Sequence, residues 1–149
     1  MKIILLLLPL ILLFNINQVL GENNVDLELQ GFKEAFQNVH YVAKINITKI
    51  EVIKGTDDGF NKFIYSADVL STYLGKVHKQ VSYEMFIEKG EEEIFTSSPV
   101  YIALCINDQG VYYWPGTGSQ FVASDAINSW LTVNQNTVGD ISSTANWCR

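Results

Sequence analysis

Between Tyr41 and Val122 apolar and polar residues mostly alternate, the period of strands that bury one face. Tyr41, Ala43, Ile45 and Ile47 share one face, with Lys44, Asn46 and Thr48 on the other. After Thr48 the phase reverses: Ile50 and Val52 become the apolar positions, Lys49 and Glu51 the polar ones. A strand that changes its buried face needs a bulge or a sharp coil, and barrels of a few curved strands use that device. Lys54 to Gly59 supplies the turn; Asp57 and Asp58 read as turn residues, because the rest of a calcium loop is missing. The next strand sets Phe63, Tyr65, Ala67 and Val69 against Ser66 and Asp68. Leu70, Tyr73 and Leu74 then break the phase before Gly75-Lys76 turns the chain. A third strand has Val77, Val81, Tyr83, Met85 and Ile87 as its core face, His78, Gln80, Ser82 and Glu84 facing out, and a charged reversal from Glu88 to Glu93.

Val100 to Ile106 is a nearly continuous apolar run, which predicts a strand buried on both faces. Asn107 to Gly110 is a hairpin connection, Val111 to Trp114 the return, and Pro115 to Gly118 a turn into Gln120, Phe121 and Val122. Gly116-Thr117-Gly118 is not a phosphate loop: it opens no helix and has no lysine or arginine beside it.

Helix-like spacing appears on both sides of this region. Leu27, Phe32, Phe36 and Val39 predict an amphipathic helix to about Asn38, secure from Phe32 because Gly31 weakens its first half. Glu22 to Asp26 is polar and expected to fray. His40 then reads as a surface or capping residue. Ser124 is a candidate N-cap, with Asp125 behind it, for a short helix carrying Ala126, Ile127, Trp130 and Leu131 over an end or edge of the sheet. Beyond Thr132 the residues are polar and aperiodic, and Asn146 to Arg149 would be held only by a disulfide. The expectation is a mainly β fold: a small closed or partly open five-stranded antiparallel OB-like barrel, with an N-terminal helix and a short C-terminal one. A cystatin-like sheet wrapped around one helix would also accept this order, but it would leave one side of the Thr48 phase change in solvent.

The N-terminal segment adds a compartment. Met1-Lys2, the apolar run Ile3 to Phe14 and the more polar residues to Gly21 have the layout of a secretory signal peptide. The run is about 12 residues, short of the roughly 20 that span a bilayer. Val19 and Gly21 suit the cleavage positions, so residues 1–21 are read as the signal and 22–149 as a single globular domain with a polar tail. No membrane insertion is expected after removal. Without Lys2, nine basic residues stand against 16 acidic ones, a net charge of about −7, which argues against nucleic acid and anionic membranes as partners. In an oxidising compartment Cys105 and Cys148 are expected to pair, tethering the C-terminus to mid-domain.

Glu34-Ala35-Phe36, then Tyr41 to Ile45, Tyr65 and Val69 leading into Tyr73-Leu74-Gly75-Lys76, then Pro99 to Ile102 and Gly110-Val111-Tyr112 together resemble the OB barrel of netrin-module and tissue-inhibitor-of-metalloproteinase-like secreted proteins. The resemblance covers about 80 to 90 residues and implies a fold. Inhibition in that family depends on an N-terminal cysteine at the protease zinc, and the first cysteine here is Cys105, so that activity is not carried over.

No catalytic constellation is visible. His78 with Glu84 is conceivable as a pair, but no spacing nominates it. Two distant histidines and two cysteines expected to pair do not make a zinc site, and no cofactor is implied. The chain is therefore read as a small exported, non-enzymatic, monomeric binding or interaction module, secreted or periplasmic, for an unidentified protein or small molecule. The alternatives are a structural or envelope-associated protein or a cystatin-like inhibitor. The candidate binding surface is Tyr112, Tyr113 and Trp114, whose alternate members would otherwise be core. Asn46-Ile47-Thr48 is a glycosylation sequon on the first strand.

Overall fold

The structure, a computed structural model, describes residues 27–53, 59–92, 95–138 and 143–148. The signal segment, its cleavage position, residues 54–58 with both turn aspartates, and Glu93 lie outside them. Helix α1 (27–38) leads into β1 (Tyr41–Ile53), β2 (Phe60–Leu74), β3 (Gln80–Glu88), β4 (Val100–Ile106), β5 (Tyr112–Tyr113), β6 (Gln120–Val122) and helix α2 (Asp125–Val138). The strands run β1-β2-β3-β5-β4, and β4 pairs back on β1, closing a five-stranded OB-like barrel; β6 is an extra strand on β4. The sheet is mixed where an antiparallel one was expected, because β5 lies parallel to β3. Every other pair in the ring is antiparallel, so β5, running against β4, must run with β3: five strands closed into a ring cannot all alternate in direction. A backbone bond from Trp114 to the Glu84 carbonyl, 2.8 Å, extends the seam.

Closure depends on the phase breaks. Between Ile47 and Lys49 the β1–β2 register slips, so Thr48 is an extra residue in β1, and its hydroxyl donates to the Ser66 carbonyl at 3.1 Å. Tyr73 and Leu70 are the extra residues of β2 at the two other slips. Beyond the Thr48 bulge Ile50 returns to the interior, as a barrel requires, and the cystatin-like layout is set aside, although Val52, expected on the same face, is 47% exposed where β1 pairs with β2 alone. The first half of β1 pairs with both β2 and β4, while its second half pairs with β2 alone.

The core has two layers. Inside the barrel pack Tyr41, Ala43, Ile45, Ile47, Phe63, Tyr65, Tyr83, Met85, Val100, Ile102 and Leu104 with their neighbours. Outside one wall the two helices cover Val42, Tyr101, Ala103 and Cys105, which explains why β4 is buried on both faces. Phe32 of α1 is the hub of this outer layer, with ring centroids 5.3 Å from Tyr101 and Phe121 and 5.9 Å from Trp130.

Three further expectations change. Val77 is 79% exposed and precedes β3, because the connection after Gly75 stays irregular to Lys79. Helix α2 runs on to Val138 rather than stopping near Thr132. Its polar residues bond back to the preceding turn, Thr132 Oγ1 to the Asn128 carbonyl at 2.9 Å and Asn134 Nδ2 to that of Trp130 at 2.7 Å, and Val138 is buried. The C-terminal segment is held by more than sulfur. Thr144 and Trp147 donate backbone N–H groups to the carbonyls of Gln37 (2.9 Å) and Asn38 (3.1 Å), and the Ser143 hydroxyl donates to that of Val39. The tail thus satisfies carbonyls that the end of α1 leaves without helical partners.

Candidate functional site

The aromatic trio does not form one patch. All three side chains are half-buried, and strand alternation sends them to different places. Tyr112 points into the barrel, where its ring lies 4.9 Å from that of Tyr41 and its hydroxyl 3.0 Å from Nε2 of His78. Burial, and then the nearby Tyr41, pushes its pKa above the ordinary tyrosine value. Tyr113 faces the helical layer, in a groove of about 360 Å³ with Pro115, Asn146 and Trp147. Trp114 lies at the rim of the barrel, packed against the inner core on one side and lining a cleft on the other.

That cleft encloses about 290 Å³ between the first residue of β2, the end of β3 and the β5–β6 turn. Phe60, Phe86 and Trp114 line it with rings and Glu88, Glu91 and Glu92 with carboxylates; Met85 and Ile87 border it from β3 but send their side chains to the opposite face, into the barrel. Phe86 is 54% exposed and Phe60 40%, an unusual position for two large rings in adjacent strands. Near them Lys62 and Glu84 form an ion pair across β2 and β3. The Trp114 indole N–H is buried with no hydrogen-bond partner among the described residues, as are the hydroxyls of the core residues Tyr41 and Tyr83. Sequence spacing did not bring these residues together, because they come from three separate turns. The signal open to a reader was an apolar Phe86 on the polar face of β3, beside the glutamate run.

The other candidates serve the fold. His78 was expected to face out, but it is wedged between Tyr41 and Tyr112, with its ring 5.9 and 5.7 Å from theirs. Strand β3 begins only after it, so the alternation that pointed it outward does not apply there. Glu84 is taken by Lys62, so the structure does not bring His78 and Glu84 together as a pair. His40 ties α1 to β4: its Nδ1 accepts from the Ile106 N–H at 3.1 Å and its backbone N–H donates to the Leu104 carbonyl. Cys105 and Cys148 sit at disulfide-bonding distance, with Cα atoms 5.3 Å apart, which suits an oxidising compartment. His40 lies within 4.8 Å of both sulfurs, but bonded sulfurs offer no thiolate to a metal. Asn46 is half-buried on β1 opposite Asp68. Lys44 Nζ, 5.5 Å above the Tyr101 ring, donates to Asn128 Oδ1, which also accepts from the Tyr101 hydroxyl; this cluster fastens α2 to the barrel.

Fold and cleft together define a small closed OB-like barrel with a helical cover and an aromatic, acidic cleft at its rim. No family model matches the chain, and no curated protein matches it significantly. No helix among the described residues is long and apolar enough to cross a membrane.

Proposed function

We propose that this is an exported, non-enzymatic binding module of the OB-barrel type, akin in fold to netrin-module and tissue-inhibitor-like proteins, and that the rim cleft is its binding site. The observation that carries this reading is the cleft itself, where large exposed rings and carboxylates share one concavity instead of being dispersed. The histidines and Glu84 are each held in structural contacts, which supports binding over acid/base chemistry. The signal-like N-terminal segment and the Cys105–Cys148 pair support export. The test uses immobilised protein and the extracellular fraction of its source. A partner retained by the native chain should be lost, about tenfold or more, with Phe86→Ala, while the unfolding midpoint stays unchanged because Phe86 is mostly exposed. Equal retention by the variant would remove the cleft from the reading, and no retention by either would favour a structural or envelope-associated role.

A further inference from the structure

Resting on that reading, we propose that the cleft receives an arginine side chain presented by a basic segment of a partner polypeptide. Among the described residues the ion pairs join Lys49 to Glu51 and Lys62 to Glu84, so Glu88, Glu91 and Glu92 line the cleft without a cationic partner. Lys89 adjoins them in sequence but does not line the cleft. Unpaired carboxylates in a concavity with apolar walls focus negative potential, and the chain's net charge of −6 favours approach of a cation.

The aromatic walls narrow the choice. A cation over a ring face is attracted by its quadrupole, and Phe60, Phe86 and Trp114 offer three rings within one cleft. Its volume, about 290 Å³, falls at the lower limit of small-ligand pockets, roughly 300–1,000 Å³, which suits one long side chain. Phe60 and Phe86, exposed on one face of the β2–β3 pair, can cover the aliphatic stem. A guanidinium stacks on rings and presents a planar fork to carboxylates, whereas an ammonium is compact and strongly hydrated; the mixture of rings and carboxylates therefore favours arginine over lysine.

The test titrates isotope-labelled full-length protein with a capped peptide of four Gly-Arg repeats and with its lysine and citrulline analogues, citrulline being the uncharged near-isostere of arginine. The arginine peptide should shift the Trp114 indole resonance and the Met85 to Glu88 amides. The triple variant Glu88→Gln, Glu91→Gln, Glu92→Gln should weaken it about tenfold or more, as should replacing arginine by citrulline, and the lysine peptide should bind more weakly than the arginine one. Rising salt should weaken the arginine complex as well. Citrulline binding as tightly as arginine, or a triple variant that binds unchanged, overturns the cation while leaving the cleft a binding site. Lysine binding more tightly overturns the guanidinium. No shift with any peptide overturns the proposal outright, and the Phe86→Ala retention experiment then judges the binding reading on its own.

Discussion

Gly31 and Gly75 are the same residue with opposite reasons for being there. A Cβ at Gly31 would meet only Cε1 of Phe121, at 3.6 Å, an ordinary contact, and the backbone there is helical. Gly75 has φ +86°, and a Cβ would come 2.8 Å from the His40 carbonyl oxygen and 3.0 Å from a Tyr41 ring carbon. Gly31→Ala should therefore raise stability by about 0.5–1 kcal/mol through helix propensity. Gly75→Ala should lower it by about 1–3 kcal/mol, since backbone strain and a clash with main chain act together. Denaturant unfolding of the two variants checks both signs, and a stabilised Gly75→Ala would show that the turn relaxes freely. Gly75 was legible as a turn residue because the strand alternation breaks just before it, at Tyr73 and Leu74. Gly31 was legible only as a weak point, and the chain is nonetheless helical on both sides of it, from the first described residue onward, because the packing of Phe32, Ala35 and Phe36 outweighs one unfavourable propensity.

At the scale of elements, the alternation was legible down to its faults. Thr48, Leu70 and Tyr73, where the hydrophobic phase breaks, are the residues that the β1–β2 ladder leaves unpaired, because a period of two cannot change face without an extra residue. Tyr73 uses its displacement to reach the helical layer, its ring 5.9 Å from that of Tyr101. The second half of α2 was illegible for the converse reason: Val138 is buried, but no apolar period leads to it, and Thr132 and Asn134 bond within the helix. The tail was half legible. Cysteine count suggested its covalent anchor, whereas its hydrogen bonds to the end of α1 depend on a juxtaposition no local pattern encodes. Breaking the Cys105–Cys148 link, which spans 43 residues, by Cys148→Ser in a Cys105→Ala background should cost about 4 kcal/mol by the loop-entropy relation. Hydrogen exchange separates the two anchors. Slow exchange retained at the Thr144 and Trp147 amides would show that the hydrogen bonds hold the tail without sulfur, while fast exchange at both would make them dependent on it.

For the whole molecule, the distribution of tyrosines sets the pH range of the fold. Burial raises the pKa of Tyr41, Tyr83, Tyr101 and Tyr112, with smaller contributions from Tyr65 on Tyr83, Tyr73 on Tyr101 and Tyr41 on Tyr112. In the unfolded chain each phenol titrates near 10, so above that pH the unfolded state loses protons that the folded state keeps. The associated stability is present in full below about pH 10 and declines as pH rises toward the elevated folded values. The unfolding midpoint should thus fall on the alkaline side, with tyrosinate absorbance from these residues appearing together with unfolding. Tyr83 offers the sharpest case, since it is buried, stacked on Tyr65 with centroids 5.1 Å apart, and its hydroxyl has no hydrogen-bond partner among the described residues. Tyr83→Phe removes the titrating group and an unsatisfied donor while keeping the ring. It should leave stability at neutral pH equal or higher and move the alkaline decline to higher pH. A variant less stable at neutral pH would mean that the hydroxyl is satisfied inside the barrel, and a burst of tyrosinate absorbance before unfolding would mean that the barrel admits hydroxide.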